Sequence, residues 1–215
     1  MKFNTKQLAM IGMLCALAYI VVALIRIPVV SFLKYEPKDV IVVMGGFMFG
    51  PLASFAISAI VSLVEMVTIS DTGIIGCVMN LISTCAFACT AVFIYKKKRT
   101  LPGAVIGLGV GVAVMTVIML LWNYLITPLY MGYPRDAVAA MLVPVFLPFN
   151  LLKGGLNAGI TLLIYKPVVR ALRRAHLLES DEAVVHGKFN AGMMLIALAL
   201  IATCVLAVLA LQGII

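Results

Sequence analysis

"VIVVMGGFMFGPLASFAISAIVSLVEMVTI", residues 40–69, is apolar almost throughout, and the fold turns on whether it is one helix or two. Ten residues from 40 to 49 rise only ~15 Å, about half of a hydrocarbon core of ~30 Å. The motif "GGFMFGP" (Gly45 to Pro51) nevertheless breaks the run, because proline cannot continue a helix from the residues before it. Charge decides between the two readings. The candidate spans are residues 8–25, 40–49, 52–69, 74–95, 103–127, 145–165 and 190–212. If 40–49 and 52–69 cross separately, one side collects Lys2, Lys6, the "KKKR" cluster (Lys96 to Arg99), Lys166, Arg170, Arg173, Arg174 and Lys188. That is eleven of the sixteen basic residues. The other side keeps Arg26, Lys34, Lys38 and Arg135 among Glu36, Asp39, Glu65, Asp71 and Asp136. This satisfies the positive-inside rule with a cytoplasmic N-terminus. Fusing the two pieces would put "KKKR" outside. The expectation is six core helices with a short second member, followed by one extra helix.

Composition agrees. The chain is 64% hydrophobic and 11% charged, with a mean hydropathy of +1.19, far above a soluble domain. No ~10-residue segments alternate as outer-membrane barrel strands do, so the class is an all-α integral membrane protein. The net charge of +8 lies between apolar runs rather than along one face, which reports topology and not nucleic-acid binding. Five cysteines (Cys15, Cys77, Cys85, Cys89, Cys204) all fall in apolar segments and read as small buried hydrophobes. The first apolar run, ~18 residues, exceeds a signal-peptide core and reads as an uncleaved helix. Three segments are expected: a membrane domain over 1–175, a polar cytoplasmic linker over 176–189, and an additional transmembrane helix over 190–215. That last helix, without charge, reads as packing, accessory or anchor.

Small residues recur at four-residue spacing: Gly12 and Ala16 in the first helix, Gly103, Gly107 and Gly111 in the fifth, Gly155 and Gly159 in the sixth. In lipid such spacing lets backbones approach closely, within the bundle or against another membrane protein.

"VPVFLPFNLLKGGLNAG" (143–159) places Asn150, Lys153 and Asn157 in an apolar run. A lysine near a helix centre costs about 2.5–3.5 kcal/mol to insert, so it faces a cavity or a partner. At 100° per residue the three share one stripe, the polar wall of a pocket. Asn80 in the fourth helix, Asn123 and Thr127 at the outer end of the fifth with Tyr130 and Tyr133 beyond, and the loop "SFLKYEPKD" before the second helix fall on the same outer half. Amides, one amine, a loop carboxylate and flat apolar groups suit a neutral molecule with an aromatic body and a hydroxylated arm. Each amide alone also suits a helix–helix hydrogen bond, Asp39 a helix N-cap after Pro37, and Lys153 snorkelling or an internal pair. Glu65 and Asp71 read as isolated near one surface. No residue reads as catalytic and no metal set is evident. His176 and His186 lie in the polar stretch, and no Gly-Lys-Ser/Thr phosphate loop occurs, so ATP hydrolysis by the usual route is excluded.

"FLKYEPKDV", "WNYLITPLYMGYPR" and "LPFNLLKGGLN" together resemble the riboflavin-specific substrate-binding (S) components of energy-coupling factor (ECF) transporters, the RibU type, over about residues 5–175. The resemblance implies a six-helix S component in the cell membrane that binds riboflavin on the outer side under a loop lid. It implies a transmembrane coupling subunit and two cytoplasmic ATPases as partners, and no cofactor of its own. Glu36, Asn123, Asn150 and Lys153 resemble the residues that bond the flavin. Asn80, Thr127, Tyr130, Leu33 and Phe149 join them by depth and face. Ala9, Gly12 and Ala16 resemble the docking face for the coupling subunit, with a glycine at one alanine position. An S component for thiamine or a pyridoxine-like compound, or one for FMN or a flavin analogue, is the alternative. The extra helix departs from the six-helix pattern.

Overall fold

A computed structural model describes residues 4–30, 33–97, 99–174 and 191–211; the expected linker at 176–189 lies outside the described residues. Helix α1 (Thr5–Leu24) leads into a two-stranded antiparallel hairpin, β1 (Ile27–Val30) and β2 (Leu33–Tyr35), in which Ile27 pairs with Tyr35 and Pro28 with Lys34. Then come α2 (Lys38–Phe49), α3 (Pro51–Thr68), α4 (Gly73–Lys97), α5 (Leu101–Met131) and α6 (Arg135–Met141). A π turn (Leu142–Phe146) joins α6 to α7 (Leu147–Arg174), and α8 (Ala191–Leu211) follows. Among the described residues five helical stretches are long and apolar enough to cross a membrane, with a shorter apolar one at Met194–Ala210. The all-α membrane bundle read from the sequence is the one observed, with the hairpin added.

The break at Gly50–Pro51 is real and has a local cause. Gly50 adopts φ +97°, a left-handed value that favours glycine, and Pro51 follows at the first position of α3, where its missing N–H costs nothing. The two pieces run antiparallel: Lys38 at the start of α2 pairs with Glu65 near the end of α3, while Gly50 lies beside Lys96 at the opposite end. Residues 40–69 are therefore two separate antiparallel helices, the option charge favoured, and not one fused helix. At Gly46 an added Cβ would collide with Ser54 on α3 and Val92 on α4, so α2 nests closely between them. Ser54 Oγ donates to the Val42 carbonyl at 3.1 Å across the same contact.

The π turn also has a cause in sequence. Pro148 has no N–H for the carbonyl of Pro144 four residues back, and the helix accommodates the lost bond by widening just before it.

The small-residue stripes divide by role. A Cβ on Gly107 or Gly111 would sit 2.6 Å from the carbonyl oxygens of Ala91 and Phe87, so that stripe packs α5 on α4. One on Gly155 would lie 2.9 Å from Cys204 and one on Gly159 2.8 Å from Ile201, so that stripe seats α8. The stripe on α1 does neither: Ala9, Gly12 and Ala16 are exposed, and Gly12 has nothing within 4 Å of its Cβ position.

Candidate functional site

Helix α2 has 12 residues against 18 in α3 and 25 in α4. At 1.5 Å per residue it is about 18 Å long, so one of its ends is recessed within the bundle. That end is its N-terminus. Asp39 accepts a hydrogen bond from Thr84 Oγ1 at 2.7 Å, and Thr84 lies about 16 Å along α4 from its start at Gly73. The hairpin and the Glu36–Pro37 link fill the space above.

The recess holds a buried charge network. Lys38 Nζ donates to both carboxylate oxygens of Glu65 at 2.5 Å and lies 3.2 Å from Glu36 Oε2. Arg26 Nε is 3.0 Å from the other Glu36 oxygen, and Arg26 Nη1 donates to the Ile69 carbonyl at 2.8 Å. Asn80 Nδ2 donates to Glu65 at 3.0 Å. A second branch starts at Lys153, whose Nζ is 3.7 Å from Asp39 Oδ2. Asn157 Nδ2 donates to the same oxygen at 3.2 Å, and Tyr35 OH donates to Asn157 Oδ1 at 2.9 Å. Arg26, Lys38 and Lys153 thus face Glu36, Glu65 and Asp39, three cations against three carboxylates. Such a set is sustainable in a dry interior because each charge stands beside an opposite one and most of the groups are also hydrogen-bonded, while the Lys153 ammonium keeps donors to spare.

Protonation follows from this packing. Burial works against the charge of Glu36, but Lys38, Lys153 and Arg26 outweigh it and hold the carboxyl below the usual carboxylate range. Burial and the nearby Asp39 push the Tyr35 phenol up, so it stays a neutral donor.

Of the residues singled out from the sequence, the structure brings Glu36, Asn80 and Lys153 into this network. Leu33 and Phe149 pack in one apolar cluster with Val29, Tyr35 and Leu156 beside it. Asn123 and Thr127 are buried but bonded along α5: Thr127 Oγ1 donates to Asn123 Oδ1 at 2.9 Å, and Asn123 Nδ2 to the Met119 carbonyl at 2.7 Å. Asn150 is buried, donating from Nδ2 to the Phe146 carbonyl at 2.8 Å. Tyr130 is exposed.

Two readings need correction. Glu65 is not isolated; it is 1% exposed and held by Lys38 and Asn80. Asp39 is not a helix N-cap, since Pro37 occupies that position and Asp39 lies in the first turn of α2, its carboxylate turned to α4 and α7. Asp71 does pair, with Lys34 at 3.2 Å, on the surface. Arg26 and Glu65 escaped the sequence reading as site residues, and Tyr35, Lys38 and Asp39 entered it only as members of the loop "SFLKYEPKD". An ionisable Glu65 within an otherwise apolar span was the available signal.

Residues 6–165 match the family model "ECF transporter, substrate-specific component". The chain is similar to the riboflavin transporter FmnP of Bacillus subtilis, 30% identical over 81% of this chain and 99% of the relative. It is also similar to the riboflavin transporter RibU of Staphylococcus aureus, 28% identical over 80% and 94%. A solved structure described as the S component of a bacterial ECF transporter superposes with a TM-score of 0.67 and 27% identity, covering 79% of this chain and 98% of the other. Matched over residues 6–165 by the family model and over most of its length by these relatives, the chain belongs to the substrate-specific components of ECF transporters.

Proposed function

We propose that this protein binds riboflavin in the recess beneath the hairpin and carries it across the cell membrane as the substrate-specific subunit of an ECF transporter. The observation that carries the reading is the charge-balanced network at the recessed end of α2, reached by polar groups from the hairpin, α3, α4 and α7. A region with three cations and three carboxylates suits an uncharged ligand.

The groups with capacity to spare match a flavin. The Lys153 ammonium stands 3.7 Å from Asp39 and makes no hydrogen bond among the described residues. Asn150 uses its amide N–H on its own helix and keeps its carbonyl oxygen. One turn apart, they offer a donor and an acceptor to a ring edge that alternates carbonyls with an N–H. Glu36 and Asn80 offer acceptors to the hydroxylated chain, Leu33 and Phe149 flat apolar contact, and Asn123, Thr127 and Tyr130 the rim on α5. Riboflavin is cargo here, and the protein performs no chemistry on it.

The N-terminus lies in the cytoplasm, which puts the hairpin outside. The exposed Ala9, Gly12 and Ala16 on α1 form the face that meets a transmembrane coupling subunit. Close backbone approach across such a face substitutes for the missing hydrophobic drive in lipid. Two ATPase subunits supply the energy. The names of the relatives favour riboflavin over thiamine, a pyridoxine-like compound or FMN. The test is the ligand that accompanies the protein: purified from cells grown with riboflavin, it should be yellow, with flavin absorbance that denaturation releases as riboflavin. A colourless protein that releases thiamine or a pyridoxine-like compound instead would overturn the substrate assignment.

A further inference from the structure

The family model ends at residue 165, and α8 begins at Ala191, so this helix lies beyond the matched fold. Its place is defined nonetheless. Ala197 and Cys204, two turns apart, are buried at 1% and 6% exposure, whereas Leu195, Ile196, Leu198 and Leu206 are exposed on the other side. The buried edge lies on the Gly155/Gly159 stripe of α7, where an added Cβ would meet Cys204 and Ile201. The same edge reaches the hairpin. Ile201, Cys204 and Val208 share one apolar cluster with Val29 of β1, Leu33 and Tyr35 of β2, and Phe149 and Leu156 of α7. Tyr35 is also the hairpin's polar link to the network, through Asn157 and from there Asp39.

The two strands are therefore held on two flanks. On one, Arg26, just before β1, bonds the Ile69 carbonyl and Lys34 pairs with Asp71 in the link between α3 and α4. On the other, α7 and α8 close an apolar seam. We propose that α8 is a clasp: by covering that seam it holds the hairpin down over the recess and slows the entry and release of ligand. This rests on the riboflavin reading of the recess, and it gives the added helix a role within the uptake step.

The test measures riboflavin release, by recovery of flavin fluorescence after a chase, on the full chain in detergent. Ala197→Phe should wedge α8 off α7 and raise the release rate about tenfold while riboflavin is still bound. Gly155→Cys, with Cys15, Cys77, Cys85 and Cys89 replaced by alanine, places a second thiol within bonding reach of Cys204. Oxidation with diamide should join the two, seen as loss of both maleimide-reactive thiols, and slow release severalfold; dithiothreitol should restore the rate. Failure of the thiols to join would show α8 unseated and overturn the proposal. So would equal release rates for the joined and reduced forms, which decides the matter even if the phenylalanine variant does not fold. Absence of riboflavin binding by the unaltered protein would instead overturn the substrate reading.

Discussion

Lys38, at the start of α2, donates to both carboxylate oxygens of Glu65, near the end of α3, at 2.5 Å, with both residues almost wholly buried. The pair fixes the depth at which the short helix stops, and with it the depth of the recess. Removing one partner leaves an uncompensated charge in a dry interior. Glu65→Gln should lower stability by about 3–5 kcal/mol. Replacing both, as Lys38→Met with Glu65→Leu, should recover only part of that loss: the apolar pair needs no compensation, but Glu36 and Asn80 lose their contacts with Lys38 and Glu65. Thermal unfolding in detergent checks both; a single variant as stable as the parent would show that the pair does not organise this end of the bundle.

Lys153 is the cation of the network least committed to a protein partner, at 3.7 Å from Asp39. If its ammonium bonds the ligand, Lys153→Ala should weaken riboflavin binding by about 1–3 kcal/mol, a rise in Kd of roughly 5- to 150-fold. Titration by flavin fluorescence quenching measures it. An unchanged Kd would remove Lys153 from the site.

Much of this was legible in the sequence. Apolar runs long enough to cross lipid gave the long helices, and the placement of lysines and arginines resolved residues 40–69 into two antiparallel pieces. Asn150, Lys153 and Asn157 stood out as polar groups on one stripe. Their partners did not, because the bonds that matter join residues far apart in the chain: Asn157 to Asp39 across 118 positions, Tyr35 to Asn157 across 122. No local pattern encodes such pairings. The hairpin was equally hidden, since strands of four and three residues carry too few positions for an alternation to register.

Tyr35 and Asn157 tie the hairpin to α7 through one hydrogen bond of 2.9 Å. Tyr35→Phe keeps the ring in its apolar cluster and deletes only that bond, worth about 0.5–1.5 kcal/mol. Riboflavin Kd should rise by roughly 2- to 12-fold, while Tyr19→Phe on α1 should leave it unchanged. Equal affinity for Tyr35→Phe and the parent would show that the hairpin is held without this bond.

Glu36 predicts the acid limb of stability. Its carboxyl in the folded protein sits below the ordinary value of 4.5, so folding favours the ionised form. The stabilisation it gives is fully present above pH 4.5 and is lost as pH falls through the lowered folded value. The melting temperature of the parent should therefore drop as pH is lowered below about 4.5, and Glu36→Gln should flatten that part of the curve. Identical acid limbs for the two would place the titration elsewhere.

Gly107 and Gly109 lie on one helix with opposite surroundings. A side chain at 107 meets the Ala91 carbonyl at 2.6 Å, whereas one at 109 meets nothing within 4 Å. Gly107→Val should cost about 1–3 kcal/mol by forcing α5 away from α4, while Gly109→Ala should be neutral or slightly stabilising. Thermal melts compare them directly, and a tolerated valine at 107 would contradict the close α4–α5 contact.

The most direct measurement is equilibrium titration of the purified protein with riboflavin, without ATP and without any other subunit. Saturable quenching of flavin fluorescence at one riboflavin per chain, at micromolar concentration or below, is the expected result. No binding at micromolar riboflavin, from protein shown to be folded by its thermal transition, would contradict the assignment of the recess beneath the hairpin as a riboflavin site.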